Sequence, residues 1–522
     1  MSPSVEPRPR SPRGATIGEV AALAGAAVGA GALEARVSGV TQSAQTAQPG
    51  DLFVALPGAK THGAKYAPLA KARGAVAVLT DAAGAALLED VGEIAVLTAA
   101  TPRSSLGALS ALVYGDPSAR LTVVGVTGTA GKTTTTYLLE SLFQAAGRMT
   151  GVIGTVETRI GSTSLASSFT TPEAPATQAL LAVMAEAGVG AVLMEVSSHA
   201  LDFGRVDGTR FAAAGFTNLS QDHLDHHGDM ESYFQAKAKL FEPGSPVAAG
   251  RAVVCVDDAW GERMSQVARE GAGRGAQAPV TVATSGARAD WTVLDRQEDD
   301  HGAQEVVVRD PRGQKLRFRL NLLGRHNAAN ALLALGLAEA AGLEVGPELL
   351  RGWASISVPG RLERVDAGQD FLAVVDYAHK PEALVKVLHA LREHTEGRIA
   401  VVVGAGGDRD QGKRPIMGEA CALGAELVVV TDDNPRTEDP AVIRAQVLAG
   451  AQESGRAEVW EVGDRAEAIA RAVGWARAGD TVLVAGKGHE TYQEINGVKQ
   501  PFDDREVLVQ AIAAAGKGRE RA

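Results

Sequence analysis

Lys132 and Thr133 stand directly after a turn of small residues and at the head of a helical pattern. The run before the turn, Leu121-Thr-Val-Val-Gly-Val-Thr127, is apolar and β-branched, and the run after it carries Tyr137, Leu138, Leu139, Leu142 and Phe143 at helical spacing. Strand, glycine turn and helix form the context of a phosphate-binding loop. Gly128, Thr129, Ala130 and Gly131 let backbone N–H groups wrap a phosphate at the helix N-terminus. Lys132 adds positive charge, Thr133 offers a hydroxyl to Mg²⁺, and Thr134 completes the loop. The usual pattern has a glycine five residues before Gly131, where this chain has Val126, so the loop is a variant. A bare glycine turn is the plainer reading, but Lys-Thr immediately before an amphipathic helix favours nucleotide phosphate, and ATP is the expected ligand.

Three further groups could do chemistry beside it. Glu195 ends the buried-type strand Ala191-Val-Leu-Met-Glu-Val196, and open α/β sheets hold ligands off such strand ends. There a carboxylate can hold Mg²⁺. The run Asn218-Leu-Ser-Gln-Asp-His-Leu-Asp-His-His-Gly228 gathers His223, two further histidines and two aspartates. It reads as a solvated loop or a zinc site, and zinc is disfavoured because no Cys/His pairs stand at set spacing. Lys237 is the third. If Ser232 to Phe241 is helical, its neighbours at three and four residues are Tyr233, Phe234, Leu240 and Phe241. A lysine in an apolar stripe is paired, snorkels to solvent, or is neutral with a lowered pKa. A neutral amine can add CO₂, and the carbamate formed is an anionic oxygen ligand for Mg²⁺.

These groups must be positioned by a large scaffold. At 522 residues the chain is too long for one core, and the alternation of short apolar strands with Ala-rich helices makes it α/β. Turns at Gly115-Asp-Pro117 and Pro359-Gly360 divide it into three domains: an N-terminal α/β domain at 15–114, a central P-loop, parallel-sheet domain at 115–358, and a C-terminal Rossmann-like domain at 359–522. Residues 1–14, rich in Pro, Ser and Arg, read as a disordered tail without the apolar core of a secretion signal. A formal charge of −11 argues against nucleic acid or an anionic membrane surface as the main partner. No apolar run is long enough to span a membrane. Cys255 and Cys421 stand in no metal or redox spacing, as buried thiols in a reducing cytoplasm would.

In the last domain three strands end in the loops Gly404-Ala-Gly-Gly-Asp-Arg409, Asp432-Asp-Asn-Pro-Arg436 and Gly486-Lys-Gly-His-Glu490. All three fall on one sheet edge, so Arg409, Arg436 and Glu490 can converge. Arg409 stands where a dinucleotide fingerprint needs its third glycine, which argues against NAD. Two arginines and one glutamate suit a ligand with carboxylates and an ammonium.

Taken in order, several motifs resemble the Mur ligase superfamily from about Gly39 onward: the loop 128–134, Thr170-Thr-Pro-Glu173, Glu195-Val-Ser-Ser-His-Ala-Leu201, Asp222-His-Leu-Asp225 and Tyr233-x-x-x-Lys237. Leu323-Gly-Arg-His-Asn-Ala-Ala-Asn330, Pro359-Gly-Arg361 and Asp376-Tyr-Ala-His379 extend the likeness. It implies an ATP-dependent amide ligase of three domains that close on each other, working through an acyl phosphate that an amine attacks. It also implies Lys132, Glu195, His223 and Lys237 as catalytic residues, with Thr133, Glu195, His223 and a carbamylated Lys237 as Mg²⁺ ligands. His326, Asn327, Asn330, Arg361 and Asp376 match positions around the nucleotide.

Thr170, Thr171, Ser197 and Arg205 resemble the site for a UDP-muramoyl-dipeptide in the tripeptide-forming members, with the N-terminal domain holding the uridine end. The chain has Ser43-Ala-Gln45 where Asp-Ser-Arg is common, leaving Gln42 as the residue carried over. Asp433, Asn434, Pro435 and Arg436 resemble the signature of members that add meso-diaminopimelate, with Arg409, Gly486 and Glu490 beside it. Lysine-adding members usually lack that arginine. A cytoplasmic enzyme of peptidoglycan precursor synthesis, acting as a monomer, is expected. The lysine-adding ligase and a folylpolyglutamate synthetase-like ligase are the alternatives. A GTPase is disfavoured because no Asn-Lys-x-Asp for guanine is present.

Overall fold

The computed structural model describes residues 7–29, 33–58, 60–88, 92, 94–165, 169–270, 277–284, 286, 288–299 and 302–519. Two compact units make up the chain: Met1–Leu294 with Val307–Arg317 and Ala328–Gly352, and Asp295–Val306 with Phe318–Asn327 and Trp353–Ala522.

The first unit holds the two α/β sheets expected of the N-terminal and central regions. In the smaller sheet the strands run Ala27–Val28, Ala95–Thr98, Ala77–Thr80, Asp51–Ala55, Gly39–Thr41, all parallel except the first pair. Asp51–Ala55, Ala77–Thr80 and Ala95–Thr98 are short and apolar, as the alternation of strands with Ala-rich helices leads one to expect. In the larger sheet, eight strands follow the order Thr163–Leu165, Thr158–Ile160, Thr150–Ile153, Ala191–Glu195, Thr122–Thr127, Ala213–Phe216, Ala252–Cys255, Val280–Ala283. Thr122–Thr127 lies at the centre, parallel to both neighbours and buried along nearly its whole length. Its β-branched composition suits that place, since a strand covered on both faces needs apolar bulk on both. Helix Lys132–Ala145 packs Leu138, Leu139, Leu142 and Phe143 inward.

The Pro/Ser/Arg-rich N-terminus departs from the expected tail. Met1 to Glu6 lie outside the described residues, but Arg8 donates to the Val40 carbonyl and Asp51 Oδ2, both at 3.0 Å, and to Tyr114. Burial raises the Asp51 carboxyl against the pull of Arg8, so the guanidinium answers a charge that the fold has desolvated.

The second unit carries a six-stranded sheet in the order Glu363–Arg364, Leu372–Asp376, Thr481–Ala485, Ile399–Val403, Leu427–Val430, Glu458–Glu461. All pairs are parallel except the first. Ile399–Val403, Leu427–Val430 and Thr481–Ala485 are the three strands that lead into the loops at 404–409, 432–436 and 486–490. Cys255 and Cys421 are buried free thiols, one in each unit. Among the described residues no helix is long and apolar enough to cross a membrane.

An ion pair inside the second unit dominates its polar core. The Arg465 and Asp504 side chains are both fully buried and meet in two hydrogen bonds, Nε–Oδ1 at 2.7 Å and Nη2–Oδ2 at 2.8 Å. Asp504→Ala leaves that guanidinium with the carbonyls of Ala485 (3.0 Å) and Asp432 (3.5 Å) and with the Asp433 carboxylate 4.0 Å away. The expected cost is about 3–5 kcal/mol, the usual penalty for stripping one partner from a buried pair. It is read as a lower urea midpoint for the unit's unfolding, and an unchanged midpoint would refute the assignment.

Candidate active site

The phosphate loop is shaped by two glycines with positive φ. Gly128 (φ 147°) leaves the strand and Gly131 (φ 88°) enters the helix. A Cβ at Gly128 would fall 1.8 Å from Thr217 Oγ1, and one at Gly131 would fall 2.3 Å from Asn330 Oδ1. Asn330, one of the expected nucleotide residues, is thereby placed against the loop. Thr129 N–H donates to the Asn218 carbonyl at 3.0 Å and Ala130 N–H to Asn218 Oδ1 at 3.1 Å, tying the loop to the next strand's end. Lys132 curls back, its Nζ donating to the carbonyls of Gly128 (2.9 Å) and Thr129 (3.0 Å).

Thr133 and Glu195 meet as expected from the strand-end argument. Thr133 Oγ1 lies 3.0 and 3.1 Å from the two carboxylate oxygens. The other support was not foreseen: Thr155 donates its backbone N–H to Glu195 Oε1 at 2.8 Å and its hydroxyl to Oε2 at 3.1 Å. Thr155 also meets Thr170 Oγ1 at 3.0 Å, and Thr171 Oγ1 donates to the Glu195 carbonyl at 2.8 Å. Glu195, 1% exposed, is therefore oriented by four donors.

Lys237 lies on helix Met230–Ala238, N-capped by Asp229. The helix starts two residues before the expected range and stops three before its end, so Leu240 and Phe241 follow it in a turn, still buried. The lysine is 1% exposed. Its Nζ donates to the Gly128 carbonyl at 3.0 Å and lies 4.5 Å from the Tyr233 ring centre. Burial drives its pKa well below the ordinary lysine value, the Lys132 charge pushes the same way, and Asp222 opposes both. Snorkelling is thereby excluded, because the amine points to a loop carbonyl and not to water. His223 takes a left-handed conformation (φ 54°), has its Nε2 3.5 Å from Asp222 Oδ2, and stands edge-on to His199 with ring centres 4.8 Å apart.

The expected substrate residues are brought together in part. Ser197 N–H donates to Thr171 Oγ1 at 3.1 Å, and Arg205 Nη1 donates to the Thr171 carbonyl at 3.4 Å. Arg205 also pairs with Glu173 at 2.8 Å, a carboxylate that sequence reasoning passed over. Gln42 is half-buried just past the strand Gly39–Thr41, and Ser43 Oγ donates to Gln45 Oε1 at 3.2 Å.

The second unit carries the rest of the expected residues. His326 opens helix His326–Ala340. Asn327 Nδ2 donates to the Leu323 carbonyl at 2.7 Å. Asp376 accepts the N–H groups of Leu362 and Ala378, both at 2.7 Å, and burial raises its carboxyl while Arg361 pulls it down. Arg361 stacks over the Tyr377 ring at 4.6 Å.

At the sheet edge the three loops converge. A Cβ at Gly406 would lie 3.1 Å from Arg436 Nη1 and 3.9 Å from Arg409 Cγ, so both arginines flank that glycine. Arg436 is held in the left-handed region (φ 53°), and its Nη1 donates to the Gly407 carbonyl at 2.5 Å. A hairpin, Tyr492–Ile495 with Val498–Pro501, clamps its backbone: Arg436 N–H donates to the Glu494 carbonyl at 3.0 Å and Asn496 N–H to the Arg436 carbonyl at 2.6 Å. Glu494 Oε2 sits 3.5 Å from Arg436 Nε. Asn434 binds Glu490 Oε2 through Nδ2 at 2.8 Å and receives Lys487 Nζ on Oδ1 at 3.0 Å. Lys487, fully buried, lies 3.5 Å from Glu490. Burial raises the Glu490 carboxyl, Asp433 adds to this, and Lys487 opposes it. A Cβ at Gly486 would reach Asp433 Oδ2 at 2.7 Å, so that glycine makes room for the carboxylate. Pro435 lies beneath Gly407, whose Cβ would strike its carbonyl.

The chain matches the Mur ligase family, catalytic domain, over residues 36–108, the Mur ligase middle domain over 126–338, and the Mur ligase, glutamate ligase domain, over 360–488. A curated relative from Corynebacterium glutamicum, named UDP-N-acetylmuramoyl-L-alanyl-D-glutamate--2,6-diaminopimelate ligase, is 52% identical over 88% of this chain and 89% of its own length. The chain belongs to the Mur ligase family. A Streptomyces avermitilis relative of the same name is 48% identical, covering 97% of this chain and 98% of that one. A solved structure described as a UDP-N-acetylmuramoyl-L-alanyl-D-glutamate--2,6-diaminopimelate ligase superimposes with a TM-score of 0.64 at 34% identity, over 92% of this chain and 96% of that one.

Proposed function

We infer that the chain is the ATP-dependent Mur ligase that joins meso-diaminopimelate to the D-glutamate of UDP-N-acetylmuramoyl-L-alanyl-D-glutamate, a cytoplasmic step of peptidoglycan precursor synthesis. The observation that carries the amino-acid choice is the Arg436 clamp beside Arg409, with Glu490 fixed opposite by Lys487 and Asn434.

In the reaction the γ-phosphoryl group of ATP passes to the glutamate side-chain carboxylate, releasing ADP and leaving an acyl phosphate. A diaminopimelate amine then attacks that carbonyl, expels phosphate and closes the amide bond. There is little covalent work for the protein, so its contribution is position and charge. The Gly128–Thr134 loop and Lys132 hold the phosphates. Thr170, Thr171, Ser197 and Arg205 orient the dipeptide, and Gln42 supports the uridine end. His326, Asn327, Asn330, Arg361 and Asp376 attend the nucleotide.

The donors in the first unit fit Mg²⁺. Thr133 and Glu195 present hard oxygens side by side, and Lys237, a buried amine with no carboxylate partner among the described residues, becomes an oxygen donor once carbamylated. Thr133, Glu195, His223 and carbamylated Lys237 would hold the ion. Mg²⁺ bound there would offset the charge of the moving phosphoryl group. The carbamate forms when the neutral amine attacks CO₂ and gives up one proton, which leaves one N–H for the Gly128 carbonyl.

Charge counting assigns Arg436, with Arg409 nearby, to the distal carboxylate of diaminopimelate and Glu490 to its distal ammonium. Lysine lacks that carboxylate and would leave the part-buried guanidinium to Glu494, 3.5 Å away, and the Gly407 carbonyl. Loss of one partner in such a pair costs about 2–5 kcal/mol. Wild type is therefore expected to prefer diaminopimelate over lysine by roughly 10²-fold or more in kcat/KM. Arg436→Ala should raise the diaminopimelate KM steeply and narrow that gap, with the KM for ATP unchanged. A wild-type preference for lysine, or equal loss of both substrates in the variant, would overturn the assignment.

A further inference from the structure

Beyond the phosphate loop, two short helices bring three metal-competent side chains together. Asp202 ends the helix Ser198–Asp202, while His226 and His227 end the helix Leu224–His227. One ligand atom from each of Asp202, His226 and His227 lies within 4.8 Å of the other two. The histidine run alone gave no zinc spacing. The missing carboxylate comes from another segment, 24 residues earlier, which only the fold brings near.

The geometry leaves the carboxylate available. Asp202 Oδ2 faces His226 Nε2 at 3.0 Å, whereas Oδ1 faces the Lys239 ammonium at 3.2 Å. An ion can take the place of the proton shared between Oδ2 and the imidazole without displacing Lys239. The rings are oriented by their neighbours: His199 stacks on His226 with centres 4.4 Å apart, Tyr233 stacks on His227 at 5.1 Å, and Ser198 Oγ lies 3.0 Å from His227 Nε2. Metal-ligating histidines are commonly held in this way by hydrogen bonds to their other nitrogen and by packing.

We propose that Asp202, His226 and His227 form a Zn²⁺ site, with three protein ligands and a fourth position open to water or an exchangeable ligand. Two imidazoles and one carboxylate suit Zn²⁺ or Co²⁺, while Mg²⁺ asks for a shell of oxygens. None of the three ligands is among Thr133, Glu195, His223 and Lys237, and the inference does not depend on the reaction proposed above. An ion here would tie the helix that follows Ser197 to the helix that follows His223, restraining the two segments that border the active site.

The test titrates the full-length protein with Zn²⁺ by calorimetry in a large excess of Mg²⁺, which occupies the phosphate-loop donors. Thermal unfolding with and without Zn²⁺ is followed alongside. One Zn²⁺ per chain is expected, with a rise in the unfolding midpoint because the ion binds only the folded state. His226→Phe and Asp202→Asn should each weaken binding by about tenfold or more, a typical penalty for disturbing a metal site. Each variant should also abolish the visible absorption of bound Co²⁺ while retaining ATP turnover in Mg²⁺. Glu195→Gln should leave Zn²⁺ binding intact. Absence of binding in excess Mg²⁺ overturns the proposal. So does binding that survives both variants but fails in Glu195→Gln, which would place the ion at the phosphate loop.

Discussion

Lys132→Ala is expected to lower kcat by about 10³-fold or more, the scale of removing a preorganised charge from a developing anion. Folding should survive. The Lys132 stem is only half-buried, Thr129 whose carbonyl it holds is half-buried too, and the Gly128 carbonyl keeps its bond from Lys237. A second effect follows from its neighbour. The Lys132 charge is one of the two influences holding the Lys237 amine below its ordinary pKa, after burial itself. Removing it lets that pKa rise, so a smaller fraction of Lys237 is the neutral amine that CO₂ requires. The variant should therefore also carry less carbamate, measured as the ¹³C carbamate signal in labelled bicarbonate. Lys132→Gln, which keeps length and loses charge, should behave alike on both readouts. Normal ATP turnover in either variant would show that the phosphates bind elsewhere.

Local patterns were legible wherever a short stretch carries its own physical reason. The strand–turn–helix around Gly128 was legible because a buried parallel strand demands β-branched residues and the turn demands glycine. Glu195 was placed by the rule that ligands gather off strand ends, and Thr133 duly meets it at 3.0 Å. The Lys237 stripe was legible because charge among apolar neighbours at helical spacing is unusual, even though the helix itself is shifted. What stayed hidden depends on pairs distant in sequence. Thr155, which aims Glu195 from 40 residues away, belongs to no motif. Lys487 lies inside a quoted loop, yet only its burial and its bond to Asn434, 53 residues away, reveal a partner for Glu490. Glu494 and its hairpin grip Arg436 across about the same separation, and no local pattern announces a clamp. Asp202 completes a histidine cluster for the same reason. The N-terminal stretch misled because composition says nothing about a buried Asp51 waiting for a guanidinium.

Lys237→Ala should cost at least about 10³-fold in kcat, because a carbamate on Lys237, as proposed, would be both an ion ligand and the only anion that side chain can present. Burial sets the sign of the effect. An ammonium enclosed at 1% exposure, bonded to the Gly128 carbonyl and repelled by Lys132, is disfavoured, so the balance shifts toward the neutral amine. Carbamylation would invert the charge, so that what repels the ammonium would attract the product: Lys132 would become a counter-ion, and Mg²⁺ held beside Glu195 another. A short carboxylate such as formate or acetate, diffusing into the space left by the alanine, should restore part of the rate in a concentration-dependent way. Lys237→Met separates chemistry from packing. It keeps the length and the contact with Tyr233 without an amine, so it should unfold at or above the wild-type midpoint while remaining inactive and resisting rescue, since no space is left for the added anion. Lys237→Arg should be inactive too, being unable to add CO₂. If the alanine variant retains full activity, or if wild type in saturating labelled bicarbonate shows no carbamate signal, Lys237 is a buried structural lysine and the ion is held without it.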